Sequence, residues 1–348
     1  MRYIFLILST MFFTIPGAPA DEIQSWPKVE LHLHLDCSLS FKAVHQLDPS
    51  ITPEIYQNEF IAPERCLDLA DYIKRAIREV DLMQTKQALR IATLDMFDQL
   101  QQDHIIYAEI RFAPLQHLKK GLTPTEVVSA VDEAVTEGSK KTGIKMGVIL
   151  CTLRHYSKEQ SMETVQLVEK FKNTHIVGFD IAGSEAGFPI DNHIDAFQYA
   201  HQHNIPCTAH AGEAKGPGSV IETLDNFHPS RIGHGVRSFE NPNLVQRLKK
   251  ENILLECCPT SNLQTNMYPD IPHHPIDSLY RAGVPLNVNT DCRTISKTTV
   301  SDEYRKITQH FGWTKKDFLT CNLQAVDHAF TSPAEKEKLK KILRRAYE

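Results

Sequence analysis

Eight short runs rich in β-forming residues recur along the chain, and segments with helical periodicity separate them. The runs are residues 28–33, 105–112, 145–151, 176–181, 205–209, 231–233, 253–257 and 285–290. Residues 123–140 and 242–251 are clear amphipathic helices. Eight βα units in 348 residues predict an α/β fold, a closed (β/α)8 TIM-type barrel. An open doubly wound sheet is the alternative, but no Gly-x-Gly-x-x-Gly phosphate loop follows the first run.

The first 20 residues differ in character from the rest of the chain. Arg2 is followed by an apolar stretch that reaches about Ile15, and Ala18-Pro19-Ala20 precedes an acidic start at Asp21. This order predicts a secretory signal peptide at residues 1–20, cleaved near Ala20. A native first strand or a membrane anchor is the alternative, although the stretch is too short to span a bilayer. We therefore expect an exported protein, periplasmic or secreted.

Residues 21–348 are predicted to form a single barrel domain with a helical insertion after the first strand, over residues 37–104. No Pro/Ser/Gly-rich linker divides this part, and no other run is apolar enough for a transmembrane helix. The formal net charge of −5 gives no support for binding to nucleic acid or to an anionic membrane. The sequence predicts no oligomeric state.

His32 and His34 end the first apolar run. Residues i and i+2 of a strand point to the same face, so both imidazoles can reach one metal ion. Alone this spacing is a weak signal, because packed and surface histidines are common. Further polar residues follow later runs, namely Gly183-Ser184-Glu185, His210, Glu213, His234 and Asp291. In a barrel these strand ends converge at the rim where catalytic sites are built.

Three histidines and one carboxylate form a predicted set of zinc ligands: His32, His34, His210 and Asp291. These ligand types suit one Zn²⁺ with a position left for water, whose pKa the ion lowers to about 7. Glu213 is expected to be held protonated by burial and to exchange protons with the substrate. His234 is expected to orient or deprotonate the water. A loop carboxylate and a structural histidine are the respective alternatives for these two residues.

Six segments resemble the adenosine deaminase family, and they occur in the family's order over nearly the whole mature chain. They are Pro27-Lys28-Val29-Glu30-Leu31-His32-Leu33-His34-Leu35-Asp36, Asp180-Ile181-Ala182-Gly183, His210-Ala211-Gly212-Glu213, Ile232-Gly233-His234-Gly235, Cys258-Pro259-Thr260-Ser261-Asn262 and Asn289-Thr290-Asp291. The resemblance implies a zinc barrel that removes the 6-amino group of a purine by hydrolysis. It matches the four predicted ligands to the family's zinc ligands. It also matches Glu213 to the residue that protonates purine N1, and His234 to the histidine that orients and helps deprotonate the water.

The resemblance assigns substrate-binding residues as well. It matches Gly183 to the glycine whose amide meets purine N3, and Asp36 to the acid that binds a ribose hydroxyl. Asp36 favours a nucleoside over a free base, because relatives that act on adenine tend to carry the longer Glu there. No lysine ends the fourth strand, so a second, lysine-bridged metal is not expected. Within the insertion, Leu69-Ala70-Asp71-Tyr72-Ile73 resembles the family's helical gate. A helix with a purely structural role is an equally good interpretation of this segment.

Two cysteines break the family pattern. Cys37 replaces the glycine that usually follows Asp36, and Cys292 replaces an aspartate that hydrogen-bonds purine N7. Because a thiol is a weak donor, Cys292 is expected to bind the substrate more loosely at N7, without loss of the metal. Strands one and eight are neighbours in a closed barrel, so the two cysteines can form a disulfide, or one can contact zinc. Free thiols are the alternative, and the other cysteines indicate no disulfide framework.

The sequence therefore predicts a zinc-dependent deaminase of adenosine and 2′-deoxyadenosine, in purine salvage or nucleoside scavenging. Two alternatives stay open. One is a deaminase of a related 6-aminopurine, such as adenine or a modified adenosine. The other is a zinc-bearing extracellular binding protein without turnover. The expected partner is a small-molecule nucleoside and the expected cofactor is one Zn²⁺. Four further histidines are expected to face solvent: His201, His203, His273 and His274.

Overall fold

The strands of the computed structural model, which describes residues 20–348, run parallel to the neighbours with which they pair. They are β1 (Lys28–His34), β2 (Ile105–Phe112), β3 (Lys145–Leu153), β4 (Ile176–Ala182), β5 (Thr208–Ala211), β6 (Arg231–His234), β7 (Leu254–Cys257) and β8 (Leu286–Val288). The predicted signal peptide, apart from Ala20, lies outside the described residues and stays a prediction.

Two four-stranded sheets, β1-β2-β3-β4 and β5-β6-β7-β8, make up the barrel. Single bridges join them at two seams. Leu33 of β1 pairs with Asp291 beyond β8, and Phe179 of β4 pairs with Cys207 in front of β5. At the first seam the amide of His34 also donates to the carbonyl of Asp291 over 2.8 Å. The predicted (β/α)8 barrel is confirmed, and each half of it is one of these sheets.

Helices lie between the strands and pack around them. They are α1 (Ala20–Ser25), α2 (Phe41–Leu47), α3 (Pro53–Glu59), α4 (Leu69–Ile73), α5 (Ala76–Leu82), α6 (Lys86–Gln102), α7 (Pro124–Thr142), α8 (Lys158–Lys170), α9 (Ile194–Gln202), α10 (Pro217–Phe227), α11 (Pro242–Glu251), α12 (Pro259–Gln264), α13 (Ile276–Arg281), α14 (Val300–Phe311), α15 (Lys315–His328) and α16 (Pro333–Tyr347). The short helices α2 to α5 lie between β1 and α6, as the predicted insertion required. Within residues 20–348, no helix combines the length and apolarity needed to cross a membrane.

The core has the two-sided burial of a parallel barrel. Leu31, Ile110 and Val148 are fully buried within their strands and pack in one cluster with Leu89 of α6 and Val131 of α7. Continuous apolar strands of this kind require helices on their outer face, because neither face can be left to water. This packing fixes the strand ends, from which the polar residues of the site extend.

The fifth strand begins later than the sequence predicts, at Thr208 instead of residue 205. Pro206 has no amide hydrogen and cannot donate to the strand ladder. Its carbonyl instead accepts a hydrogen bond from the amide of Phe179, over 3.0 Å. The strand also ends later than predicted, so that His210 lies inside β5, and His234 is the last residue of β6. Strand pairing therefore holds the backbone of both histidines.

Candidate active site

The four predicted metal ligands meet at one point at the carboxyl end of the barrel. His32, His34, His210 and Asp291 each offer one ligand atom, and these atoms lie within 4.8 Å of one another. Nε2 of His34 is 3.1 Å from Nε2 of His210. Oδ1 of Asp291 is 3.4 Å from Nε2 of His32 and 3.5 Å from Nε2 of His34. The predicted set is thus brought together from three strand ends.

The orientation of two ligand histidines fits a bound cation. Nδ1 of His32 lies 2.8 Å from a carboxylate oxygen of Glu256, and Nδ1 of His210 lies 3.0 Å from one of Asp180. Each Nδ1 hydrogen is therefore donated outward, and each Nε2 lone pair points to the centre. Within the described part of the chain, Nε2 of His32 is buried without a hydrogen-bond partner. Three imidazole nitrogens and one carboxylate converging in this way form a suitable site for a divalent metal.

A single guanidinium, that of Arg111, links the two carboxylates behind these histidines. It lies 2.7 Å from Asp180 and 2.7 Å from Glu256, and all three side chains are fully buried. Burial alone raises the pKa of Glu256, but Arg111 and Arg231 outweigh it and hold this pKa well below its usual value. Both carboxylates therefore stay ionised and can accept from the histidines.

The sequence analysis assigned no role to Arg111 or Glu256. A signal was available, because each is a charged residue inside an otherwise apolar strand, IIYAEIRF in β2 and LLEC in β7. Buried charges of this kind need a partner. Asp180 was included only as part of a family segment, and its contact with His210 requires the folded barrel.

The backbone is bent sharply at two residues of the site. Asp291 has a φ of 65° and His234 a φ of 60°, in the left-handed region that residues with a Cβ rarely adopt. The Asp291 side chain is held in place by the hydroxyl of Ser261, which donates to Oδ2 over 2.7 Å. Strained conformations of this kind persist where the surrounding structure enforces them, and they are concentrated at functional sites.

Gly233 permits β6 to approach the ligand histidines closely. A Cβ at this position would lie 2.9 Å from Cε1 of His32 and 3.2 Å from Cγ of His210. Neither imidazole ring can move away from such a Cβ, because each ring is hydrogen-bonded to a buried carboxylate. A side chain at residue 233 would therefore displace the ligands.

Glu213 is buried beside the ligand cluster, with Oε1 3.6 Å from Nε2 of His234. Burial raises the pKa of Glu213 well above its usual value, and the charges of Asp291 and Glu185 raise it further. This shift favours the protonated carboxyl group, which can act as a proton donor. The sequence analysis expected burial to act on Glu213 in this direction.

Glu185 holds the loop that carries Glu213. Its carboxylate accepts hydrogen bonds from the backbone amides of Gly212 (2.8 Å), Glu213 (3.0 Å) and Lys215 (2.8 Å). It is only 1% exposed. Several amide donors converging on one carboxylate fix the direction of the loop. The sequence analysis identified this residue as polar and at a strand end, without this role.

His274 is buried, so the expectation that it faces solvent was wrong. Its Nδ1 accepts from the amide of Ile276 over 3.2 Å, and its Nε2 lies 3.1 Å from Oδ1 of Asn262. These two contacts satisfy both ring nitrogens away from water, and burial lowers the pKa of His274 to about 3. Of the other three histidines, His201 and His273 are exposed and His203 is partly buried.

The contacts of His274 set the tautomer of His234. With Nδ1 accepting, neutral His274 carries its hydrogen on Nε2 and donates to Oδ1 of Asn262. The Asn262 amide nitrogen then donates to Nδ1 of His234, which is 3.1 Å away. His234 must therefore carry its own hydrogen on Nε2, the atom that faces Glu213. Burial lowers the pKa of His234 well below its usual value, and the neighbouring His32 lowers it further, so this neutral form persists.

A cavity of about 240 Å³ opens over the ligand cluster. All predicted site residues line it except His32, which lies deeper: His34, Asp36, Gly183, His210, Glu213, His234, Asp291 and Cys292. Gly183 has a φ of 95°, which directs the chain through a turn that other residues enter only with strain. Leu69, Tyr72 and Ile73 of α4 form one wall, where the gate-like segment was predicted.

A disulfide joins Cys37 and Cys292, whose Cα atoms are 5.1 Å apart. Of the outcomes left open by the sequence, the structure therefore shows the bonded one. The other cysteines of the described residues are free and buried. The expectation of a weak thiol donor at residue 292 was wrong for the bonded form, because a disulfide sulfur carries no hydrogen.

The sequence and the fold match proteins of known type. A family model described as "Adenosine deaminase" matches residues 27–346. The adenosine deaminase of Enterococcus faecalis is 35% identical over 333 residues, which cover 94% of this chain and 98% of the relative. The crystal structure of Arabidopsis ADAL complexed with IMP is 26% identical, with a TM-score of 0.84 over 93% of this chain and 98% of that one.

A second solved structure shares the fold. The adenine deaminase of Arthrobacter aurescens has a TM-score of 0.85 at 23% identity, over 92% of this chain and 99% of that one. Since the family model spans nearly the whole of the described chain and a curated relative is matched almost end to end, the chain belongs to the adenosine deaminase family.

Proposed function

We propose that this protein hydrolyses adenosine and 2′-deoxyadenosine, giving inosine or 2′-deoxyinosine and ammonia. The observation that carries the proposal is the convergence of four ligand atoms within 4.8 Å beside the buried Glu213 in one cavity, where burial raises the pKa of Glu213. A metal site next to a carboxylic acid is the arrangement that hydrolysis of an aminopurine needs, because water must be activated and the ring must be protonated. The named relative in E. faecalis is an adenosine deaminase, which supports the same substrate.

The proposed cofactor is one Zn²⁺, held by His32, His34, His210 and Asp291. The ligand types and the unpaired buried Nε2 of His32 support a borderline-soft cation. When bound, the metal acts as a Lewis acid that lowers the pKa of a water molecule. Asp180 and Glu256 fix the tautomer of two ligand imidazoles and keep each Nε2 aimed at the centre by accepting the Nδ1 hydrogens.

Glu213 and His234 carry out the proton chemistry in this proposal. Glu213 donates its proton to purine N1, which makes C6 electrophilic, while the water oxygen bonds to C6. His234 donates from Nε2 to that oxygen and orients it. The proton lost by the water passes to the Glu213 carboxylate and then to the 6-amino group, which leaves as ammonia. As ammonia leaves, the hydroxyl on C6 becomes the carbonyl of the product and its proton returns to the Glu213 carboxylate, so that Glu213 is protonated again at the end of the reaction.

Asp36 and Gly183 select a nucleoside. The carboxylate of Asp36 lines the cavity and accepts from the backbone amide of Ala113 over 3.2 Å. This contact engages Oδ2, and Oδ1, which lies 3.8 Å from Nδ1 of His34, keeps a lone pair to accept from a ribose hydroxyl. Gly183, which follows β4 on the same rim, offers a backbone amide for purine N3. A free base would leave the Asp36 carboxylate without its ligand.

The experiment is an ultraviolet assay for conversion of aminopurine to the hypoxanthine chromophore. Zinc-loaded protein is mixed separately with adenosine, 2′-deoxyadenosine and adenine, and chelator-treated protein serves as the control. We expect turnover of both nucleosides, which the chelator abolishes. Turnover of adenine alone would contradict the nucleoside assignment. If zinc-loaded protein turns over none of the three, the deaminase proposal fails and the binding-protein alternative is favoured.

We also propose that the protein is exported after cleavage of residues 1–20. The Cys37–Cys292 disulfide supports this, because such bonds persist in oxidising compartments. N-terminal sequencing of the protein recovered from the periplasm or the medium tests it. A mature chain that begins near Asp21 is expected, whereas an intact Met1 on the active protein would contradict export by this route.

A further inference from the structure

Beside Tyr72, one part of the cavity wall is made of side chains that contain no hydrogen-bond donor. This disulfide wall consists of Cys37, Cys292, Leu69, Ile73 and Ile295, which pack together and line the cavity. Cys37 and Cys292 are only 3% and 6% exposed, so the bond is fixed among the apolar side chains of α4 and of the segment after β8. Sulfur atoms bonded to each other have no hydrogen to donate.

The disulfide wall and Glu213 approach the ligand cluster from different strands. Glu213 follows β5 and Cys292 follows β8, at the two ends of one four-stranded sheet. Asp291, the ligand residue, directly precedes Cys292, and Sγ of Cys292 is 3.8 Å from its Oδ1. The disulfide wall is therefore directly adjacent to the proposed metal site.

The chemistry of a purine then sets which edge meets this wall. The 6-carbon, which must face the metal site, has N1 on one side and the imidazole half of the ring with N7 on the other. When N1 takes the proton of Glu213, N7 points away from β5 and toward the end of β8. This inference thus rests on the proposed function, since it takes the position of the ring from Glu213.

We propose that the disulfide wall contacts the imidazole edge of the substrate through apolar packing alone, so that N7 contributes little to recognition. Purine nucleosides with a C–H in place of N7 then bind as well as adenosine. A site built to hydrogen-bond a substrate atom rejects the analogue that lacks it, because the site's own polar group is left unpaired. The disulfide wall has no such group to leave unpaired.

Tyr72 is the residue of this region that offers a competing explanation. Its hydroxyl also borders the cavity and lies 2.7 Å from Oγ of Ser296, where either atom can be the donor. If Ser296 donates, the Tyr72 hydroxyl is free to donate to N7. In that case adenosine would bind better than its 7-deaza analogue, and Tyr72→Phe would remove the difference. That result would overturn the proposal.

The test compares dissociation constants of adenosine and 7-deazaadenosine, measured by calorimetry on the zinc-loaded Glu213→Gln variant, in which turnover is slow. Binding is the preferred readout, because removal of N7 also changes the reactivity of the 6-carbon. A ratio of the two constants below fivefold supports the proposal, and a ratio of fivefold or more overturns it. If neither nucleoside binds, the proposal is also overturned.

A pair of variants tests whether the wall itself sets this ratio. Cys37→Gly with Cys292→Asp introduces a carboxyl group and should raise the preference for adenosine about tenfold, the effect of one good hydrogen bond. The matched control, Cys37→Ala with Cys292→Ala, removes the bond without adding a donor and should keep the original ratio. An equal rise in both variants would contradict the proposal. If the aspartate variant does not fold, the ratio in the protein with the native wall decides alone.

These results are distinguishable from failure of the proposed function. That failure is an absence of adenosine turnover by the zinc-loaded native protein, whereas the binding ratio is obtained without turnover.

Discussion

The carboxylate of Glu185 accepts a hydrogen bond from the backbone amide of Glu213, with donor and acceptor 3.0 Å apart. The same carboxylate accepts from Gly212 and Lys215, so one buried anion fixes the loop that carries the proposed acid. The position of Glu213 is thus determined by a residue that follows a different strand. Precision of this kind matters, because small displacements of a catalytic group are costly.

We expect Glu185→Gln to slow adenosine turnover by about 10- to 100-fold while leaving zinc content unchanged. The amide keeps one acceptor oxygen, but its NH₂ group opposes the backbone amides that the second oxygen accepted. Steady-state kinetics and metal analysis check this. Glu222→Gln, on the exposed face of α10, removes the same charge without a loop contact and should have near-native rates. Equal losses in both variants would indicate a general effect of charge.

Glu213→Gln should keep zinc and lose about 10²- to 10⁴-fold in kcat, since an amide cannot donate a proton as a carboxylic acid does. The KM should change far less, because the side chain keeps its size. Rates and zinc content of the same preparation are the measurement. A variant with near-native kcat would remove Glu213 from its proposed role.

His274→Leu should lower kcat about tenfold, because Asn262 is no longer held in the orientation that leaves the hydrogen of His234 on Nε2. The readout specific to this explanation is ¹⁵N NMR of His234, which distinguishes the two neutral tautomers. His273→Leu is the matched control. It removes an adjacent histidine that is exposed and that, among the described residues, pairs only with Asp270. An unchanged tautomer with reduced kcat would show that His274 acts through packing instead.

Arg111→Met should destabilise the fold by about 3–5 kcal/mol, because two buried carboxylates lose their shared cation. Zinc affinity should fall about 10- to 100-fold, since the carboxylates orient two ligand histidines. Denaturant unfolding and zinc titration check both effects. Arg90→Met breaks a surface pair with Glu137 and should cost no more than about 1 kcal/mol. Comparable losses in the two variants would contradict the role given to the buried network.

The free energy of unfolding should decrease as the pH drops from about 6.5 to 4, and His193 should account for part of this decrease. Burial lowers the pKa of His193 to about 4, although the carbonyl of Arg154 partly offsets it. Between these values the unfolded chain binds a proton that the folded chain does not, so stability decreases toward low pH by up to about 3 kcal/mol. Unfolding at several pH values, compared with His193→Gln, checks this. A variant with the same slope as the native protein would contradict it.

The sequence predicted the barrel and the ligand set because both are encoded locally. Strand-forming runs and the polar residues that end them are contiguous, as at His32, His34 and His210, and the barrel geometry then brings them together. The buried partners were harder to predict, since Arg111 and Glu256 are 145 residues apart and neither has a local pattern that names the other. The boundary of β5 was misplaced because the effect of Pro206 on strand pairing was not included.

His274 shows a second limit of sequence reasoning. Prolines flank the His273-His274 pair, which is typical of an exposed loop, and that description fits His273. Burial of His274 depends on the Ile276 amide and the Asn262 side chain, which take up both ring nitrogens. Only the folded loop brings these partners together. The disulfide is a different case, because the neighbouring positions of strands one and eight in a barrel allowed it but left free thiols open as well, and the Cα separation of 5.1 Å is known only from the folded barrel.

The proposed metal site takes its ligands from both halves of the barrel. The sheet β1–β4 supplies His32 and His34, the sheet β5–β8 supplies His210 and Asp291, and the backbones of the two sheets meet only through single bridges among the described residues. Each half-barrel therefore supplies two of the four proposed ligands and cannot form the full set by itself. We expect that a chain whose two halves have not come together lacks the complete site, so that deaminase activity requires the closed barrel.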